Sequence, residues 1–527
     1  MNEKMNSYLK RIKIISILYL SIPILIFLVC WLRYWLAGML GILFVYGVYN
    51  YIKSELELDV NEVDERVDER IQEGHATGKR KSARKEEISV EQKNNNFSVL
   101  IFYVLLLSAG WTLISGIGGY SFQNWDFHFR NAVLHDLIDF SWPVVYQDHT
   151  VLTYNLTYWL PSAIAGKIFG WDTANFIMFI WSWGGLILIF SLLLYRTKTF
   201  LIWPIIVFIF FSGMDILGII INTGQFPSLG THLEWWSINQ IQIQYSSFTT
   251  QLFWVFHQAI PAWLITILLL NEPKRTNLLP LFALCIPYAP FATIGLLPFV
   301  IYFFFRNKDK SDDKEVNKNY KLSYFVKTLR AGIKLHSLLI PLILFVVFGG
   351  FYMINDGTQS DNGFILSNNN IELVLPYLLF CLLEFGIICV FLFPKFRKEG
   401  LFILTVIILL CVPLYRSGFS NDFCMRVSIP ALIILCVYSV EYLSKVKKRL
   451  YFYAFTAVLA IGAITPVYEG SRAIINLLNG QELVTDAVKT FSNHATRPTD
   501  GATIHIQNFI SKEYPSGYFP QYLQKNK

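Results

Sequence analysis

Apolar residues along this chain come in long unbroken blocks, not in the alternation of a half-buried strand or the narrow stripe of a surface helix. The blocks run at roughly 12–31, 33–52, 97–118, 173–195, 199–221, 250–271, 277–290, 291–305, 336–354, 371–394, 400–416, 428–444 and 450–468. Several of them, such as Phe97 to Gly118 and Thr173 to Tyr195, hold no charged residue at all. About 20 apolar residues suffice to carry a helix through a hydrocarbon core, so the pattern predicts an all-α, polytopic integral membrane protein of about 13 transmembrane helices. The stretch 277–305 carries Pro280, Pro287, Pro290 and Pro298 and predicts two short, broken helices in place of one long one.

Composition agrees with this pattern. Of 527 residues, 54% are hydrophobic and only 15% charged, against about 25% charged in soluble domains, which excludes a soluble enzyme. The net charge of +7 has a location that explains it. Lys and Arg crowd Lys10, Arg11 and Lys13 and the connections 196–198, 274–275, 306–334, 395–398 and 445–449. Basic loops mark the cytoplasmic side. The N-terminus is therefore expected in the cytoplasm, the C-terminus outside, and no nucleic-acid partner is called for. The seven cysteines lie mostly inside the blocks and form no CxxC pair, so neither a disulfide framework nor a zinc site is indicated.

The polar remainder divides the chain into an N-terminal helical hairpin, 1–52; a charged cytoplasmic insert, 53–96; a transmembrane core, 97–468, with outer loops at 119–172 and 222–249; and an extracytoplasmic tail, 469–527. In the insert, Leu56, Val60, Val63, Val67 and Ile71 recur at helical steps before a basic run at Lys79, Arg80, Lys81, Arg84 and Lys85. It reads as a solvated spacer, with partner binding as the alternative. In the first outer loop Phe129, Val133, Leu137 and Phe140 recur at steps of four and three, predicting a helix lying in the membrane interface at the outer face.

That helix follows Trp125-Asp126-Phe127-His128-Phe129. The stretch resembles the first outer loop of the GT-C superfamily, multi-span glycosyltransferases that use sugars linked to a lipid phosphate. Protein mannosyltransferases of that superfamily carry a tryptophan or similar residue, an acid pair, a variable residue and then His-Phe. Here Phe127 stands where the second acid is expected. The run from Leu152 to Gly170, with its aromatic residues, Gly166-Lys167 and Gly170, is similar to the segment leading those enzymes into their next span. The resemblance covers about residues 97–195. It implies a GT-C-like architecture and transfer of a sugar from a polyprenyl-phosphate-type donor to a cell-envelope acceptor, be it glycan, lipid or protein.

Such chemistry needs a base for the acceptor hydroxyl and cationic groups for the departing phosphate. Asp126 is the candidate base, or else an N-cap of the following helix. Asp215, set in apolar sequence, is the candidate second acid, the alternative being a buried structural pair. No cofactor is fixed by the sequence; a divalent cation, Mg or Mn, is left open by the resemblance, with Asp126 and Asp215 as its ligands. Arg426 is the candidate phosphate clamp, or a partner of Asp422. His128 and Arg130 are candidates for orienting acceptor or phosphate, with scaffold and headgroup anchoring as alternatives. Trp235 and Trp236, near His232, Glu234, Gln240, Gln242 and Gln244, suit either sugar stacking or an aromatic belt at headgroup level. Glu384 reads as a helix contact. A rival reading is a transporter or flippase of a lipid-linked or polar solute, in which Asp215, Glu384 and His257 line a path; a third is a scaffold recruiting partners through 53–96. No Walker loop, Rossmann glycine pattern or HExxH motif is present.

Overall fold

The computed structural model describes residues 2–56, 83–147, 149–199, 201–237, 241–306, 332–355, 362–365, 371–418, 421–480, 490–492, 507–511 and 519–525. The helices, in chain order, are α1 (Asn2–Trp31), α2 (Tyr34–Leu56), α3 (Ala83–Ile114), α4 (Phe127–Asp139), α5 (Leu160–Phe169), α6 (Trp171–Thr197), α7 (Trp203–Ile209), α8 (Asp215–Thr223), α9 (Phe248–Leu270), α10 (Arg275–Ala283), α11 (Pro290–Arg306) and α12 (Leu335–Met353). They continue with α13 (Val374–Cys381), a π-helical turn at Leu382–Gly386, α14 (Ile387–Phe396), α15 (Gly400–Cys411), α16 (Asp422–Val427), α17 (Ile429–Lys445), α18 (Arg449–Gly462) and α19 (Ile464–Leu478). One two-residue antiparallel pair, β1 (Gly363–Phe364) with β2 (Tyr415–Arg416), is the sheet among the described residues.

Six helical stretches are long and apolar enough to cross a membrane: Ser7–Trp31, Tyr34–Leu56, Trp171–Thr197, Phe248–Leu270, Val374–Phe396 and Arg449–Leu478. The protein is thus an all-α membrane protein with several spanning helices. Shorter apolar helices at Ser98–Ile114, Pro290–Arg306, Ser337–Met353 and Gly400–Leu414 match further blocks of the sequence. Of the insert, residues 57–82 lie outside the described residues, so the stripe from Val60 to Ile71 and the basic run at Lys79 to Lys81 have no structural account. Gln240 also lies outside them.

At the centre stands α9, packed against α1, α6, α10, α11, α17 and α19 and buried along nearly its whole length. Its backbone departs from helical geometry at Val255 (φ −135°). Six residues on, Pro261 has no N–H to offer the His257 carbonyl. The central helix is therefore irregular where His257 sits.

Two breaks in helical blocks shape the neighbours. The 277–305 stretch forms two short helices, α10 and α11, as its prolines predict. The Tyr352 hydroxyl donates to the carbonyls of Ile286 (3.2 Å) and Pro287 (2.9 Å), answering an acceptor that Pro290 cannot reach from one turn on. The block 199–221, in contrast, is not one helix. It breaks at 210–214 between α7 and α8, and the freed backbone is taken up by neighbours: Met214 N–H donates to the Leu383 carbonyl (3.1 Å) and Phe248 N–H to that of Phe211 (3.3 Å). Gly213 allows this close passage, since a Cβ there would lie 2.1 Å from Glu384 Oε2 and 2.7 Å from Glu384 Cα.

The expected helix after Asp126 forms as α4, but it does not lie on a surface. Phe127, Phe129 to Leu134, Asp136 and Leu137 are all buried. Distant chain covers it: Phe509 stacks on Phe129 (5.6 Å) and Phe491 N–H donates to Asp136 (3.0 Å). Residues 507–511 run beside 151–153, with Thr153 N–H donating to the Phe509 carbonyl and Ser511 N–H to that of Val151, both at 2.8 Å. The tail boundary also moves, because α19 continues the last apolar block as far as Leu478.

Candidate functional site

Asp126 occupies the N-cap position of α4, yet its side chain caps no backbone N–H. Instead it pairs with Arg130, one helical turn on. The loop before it is pinned to the central helix: Asn124 Nδ2 donates to the Phe253 carbonyl (2.8 Å), and Asn124 Oδ1 accepts from Asp126 N–H (3.1 Å). Gln123 completes the turn, donating to the Gly116 carbonyl (3.0 Å) and accepting from Asn131 (2.9 Å). The carboxylate is thereby fixed in direction while its side chain stays 29% exposed.

Arg130 is buried, with a side chain only 4% exposed. Its Nη1 lies 3.0 Å from His257 Nδ1. A guanidinium can only donate, so Nδ1 accepts from Arg130, while the other ring nitrogen, Nε2, lies 3.1 Å from the Gln258 side-chain amide nitrogen. His257 Nε2 is also 3.2 Å from the Tyr154 hydroxyl, which also receives Gln258 Nε2 at 3.4 Å. Trp159 (4.4 Å) and Tyr154 (5.4 Å) pack on the His257 ring, and Phe509 packs on Tyr154 (4.4 Å).

Arg426 approaches from α16, whose first turn Asn421 caps by accepting from Cys424 N–H (3.3 Å). The expected Asp422 partner is present at 3.0 Å. Arg426 nevertheless belongs to the same cluster, because its charge acts on Asp126, Tyr154 and His257. Among the described residues, neither Arg426 Nε nor Arg130 Nε has a hydrogen-bond acceptor, although both atoms are buried. Two buried cationic donors left open beside a partly exposed carboxylate and a tyrosine hydroxyl form a setting for a tetrahedral oxyanion such as phosphate. His128 sits half-buried on the same first turn of α4.

Asp215 does not join it. It opens α8, fully buried, where Ser212 (3.2 Å) and Thr465 (2.7 Å) donate to Oδ2 and the Trp236 indole donates to Oδ1 (3.2 Å). The same indole N–H reaches Glu384 Oε1 at 3.2 Å, so Asp215 and Glu384 form an acid pair bridged by Trp236. The expectation that Asp126 and Asp215 share a cation or act together is corrected: every polar contact of the Asp215 carboxylate is to this separate cluster. Among the described residues no group of three or more His, Cys, Asp or Glu side chains could hold a metal ion. Trp236 is corrected likewise. It is buried against Gly218, where a Cβ would sit 2.2 Å from the indole, so its faces are closed to a sugar ring. Glu384 is, as expected, a contact between elements, here joining the π-helical turn to α8.

A third cluster holds the second outer loop. His232 pairs with Glu469, which also binds Arg472 and accepts from the Trp254 indole at 3.2 Å. Burial opposes a charge on His232, but the Glu469 carboxylate outweighs it and raises the imidazole above its ordinary value. Glu234 is buried beside it, accepting from Ser247 N–H and Gln244 Nε2, both at 2.8 Å. Burial pushes its carboxyl up to about 7, with Asp215 adding to the rise and His232 opposing it. Trp235, by contrast, is half exposed and presents its ring beside His232 (4.7 Å).

Comparison with known protein families, curated proteins and solved structures finds no match to this chain.

Proposed function

We propose that the protein is a membrane glycosyltransferase that moves a sugar from a polyprenyl-phosphate-type donor to a cell-envelope acceptor at the outer face. This reading includes the GT-C-like arrangement of about 13 spans, an N-terminus in the cytoplasm and a C-terminus outside. The observation that carries it is the pair of buried guanidiniums, Arg130 and Arg426, with open Nε donors beside Asp126. In the reaction Asp126 takes the proton of the acceptor hydroxyl, the acceptor oxygen bonds to the anomeric carbon, and the bond from that carbon to the phosphate oxygen breaks. Arg426 and Arg130 receive the charge that develops on the leaving phosphate. Tyr154, held by His257, faces the same group and adds a hydroxyl to its recognition. Asp215 has no part in the step, and a divalent cation, if one is used, is not held by an Asp126 and Asp215 pair.

The test is purification of the full chain with radiolabelled polyprenyl-phosphate sugars. Transfer is expected for wild type, with a loss of about 100-fold or more in Asp126→Asn and Arg426→Gln, the scale of a missing general base or oxyanion donor. Asp215→Asn is expected to keep the rate within about tenfold, since it lies outside the cluster. No consumption of any lipid-linked sugar, or an Asp126→Asn rate equal to wild type, defeats the reading.

The rival transporter reading has one observation in its favour, the fully buried Asp215 and Glu384 pair on facing elements. It requires uptake into proteoliposomes that Glu384→Gln abolishes while Asp126→Asn leaves it intact.

A further inference from the structure

A groove of about 560 Å³ lies between α1 and α2 at the end where Trp31 and Tyr34 join them, and none of its lining residues belongs to the cluster around Asp126. Each of the two helices is long enough to cross a bilayer, so the turn that connects them stands at one membrane boundary. Cys30 lines the groove from α1, Tyr34 and Gly38 from α2, and Trp142, Lys167 and Lys525 from three distant parts of the chain.

The two lysines define the chemistry. Lys525 holds its ammonium 4.5 Å from the Tyr34 ring centroid, and its backbone N–H donates to the Trp31 carbonyl at 2.8 Å. Lys167 stands 5.2 Å from the Trp142 ring while donating to the carbonyls of Ile138 (2.9 Å) and Phe140 (2.6 Å). Both ammoniums act electrostatically on the Cys30 thiol, which places them around the same space; Asp139 also lies within reach of Lys167. Neither lysine forms an ion pair among the described residues. The floor is open: a Cβ added at Gly38 would meet nothing within 4 Å. Beyond the groove the exposed faces of α1 and α2 are apolar, with Val29, Met39 and Ile42 outward.

We infer that this groove binds the phosphate headgroup of an anionic glycerophospholipid of the surrounding bilayer. The ammoniums of Lys167 and Lys525 meet the phosphate, and the acyl chains lie along the outward faces of α1 and α2. The lining has few hydroxyl or amide groups with which to read a sugar, which favours a simple lipid over a lipid-linked glycan. Lys167 also closes the C-terminal end of α4, the helix whose first turn carries Asp126 and Arg130, so an occupied groove braces that helix from its far end.

The test is native mass spectrometry of the full-length protein in detergent, titrated with phosphatidylglycerol, phosphatidylcholine or undecaprenyl phosphate. Wild type is expected to retain phosphatidylglycerol over phosphatidylcholine. Gly38→Leu, which fills the floor, and Lys525→Gln, which removes one charge, are each expected to weaken that retention about tenfold. Size-exclusion elution and Tm report whether each variant is folded; if Gly38→Leu is not, Lys525→Gln carries the test. Retention equal to wild type in the folded variants overturns the inference, and so does preferential retention of undecaprenyl phosphate that Gly38→Leu removes. Neither result bears on sugar transfer, which is read through Asp126 and Arg426.

Discussion

Asp126 and Asp215 are both carboxylates that stand out in a charge-poor chain, and their neighbours in space separate them. Asp126 is partly exposed and opposed by a guanidinium; Asp215 is sealed and answered by two hydroxyls and an indole. Nothing local in the sequence distinguishes the cases, since Ser212, Trp236, Thr465 and Glu384 come from four separate segments. His257 and Tyr154 were legible only in part: His257 is a polar residue four places before Pro261 in an apolar block, and Tyr154 lies in an aromatic run. They meet each other directly, and His257 in turn receives Arg130 from α4. The residue scale also gives a pH dependence. The Glu234 carboxyl is raised in the folded protein to about 7 from an ordinary 4.5. Its protonated form is thus the one the fold favours, and the stability it contributes is full below about pH 4.5 and lost as pH rises through about 7. Glu234→Gln is therefore expected to gain stability over wild type at pH 8, on the order of 2–3 kcal/mol before the cost of re-forming the Ser247 and Gln244 contacts, with little difference near pH 4.5. Thermal unfolding in detergent at the two pH values checks this; a constant offset at both would refute the assignment.

Among the elements, the informative one is the break between α7 and α8. An apolar block of the right length for a span predicts a continuous helix, and hydropathy cannot reveal that Ile209 and Phe211 hand their carbonyls to α9 and Met214 its N–H to the π-helical turn. Gly213 is required by contact, not by backbone angle. Gly213→Ala would set its Cβ against the Glu384 backbone as well as its carboxylate, and a loss of about 3 kcal/mol is expected, in the range of overpacked core sites. The readout is the denaturation midpoint, compared with Gly38→Ala, where the added methyl meets no atom and a small gain or no change is expected. The α4 helix teaches the reverse lesson. Its period predicts the helix but not its environment, because an amphipathic pattern reports one apolar face but cannot say whether chain from residues 491 and 509 covers the other.

For the whole molecule, a buried lock sits at the end opposite the Trp31 turn. Lys13 lies between Glu55 (3.1 Å) and Glu272 (3.3 Å), Tyr51 donates to Glu272 (2.9 Å), and Asn277 donates to Glu55 (2.9 Å), tying α1, α2 and the connection from α9 to α10. Lys13 is among the basic residues on which the expected cytoplasmic N-terminus rests. Its side chain is 3% exposed and neutralised by two acids, so it is not a free charge of the kind that expectation counts. Lys13→Met, leaving two acids buried together, is expected to destabilise the protein by about 3–5 kcal/mol, measured as a fall in Tm in detergent.

The sequence by itself determined the solvent of this protein and the class of its elements. Twenty-residue apolar blocks and scarce charge leave helices in a bilayer as the structure that satisfies every backbone group, and Pro287 and Pro290 mark where a helix is interrupted. It also carried Asp126, Arg130 and Arg426 as candidates, because charge is rare enough here to stand out. Only the tertiary structure decided which of those charges meet. Arg130 joins His257, Arg426 acts on the same group, and Asp215 turns away to Glu384 and Trp236. Most of those pairings are set by packing between segments over a hundred residues apart, where hydrogen bonds and ion pairs choose partners by distance in space, a quantity that hydropathy along the chain does not contain.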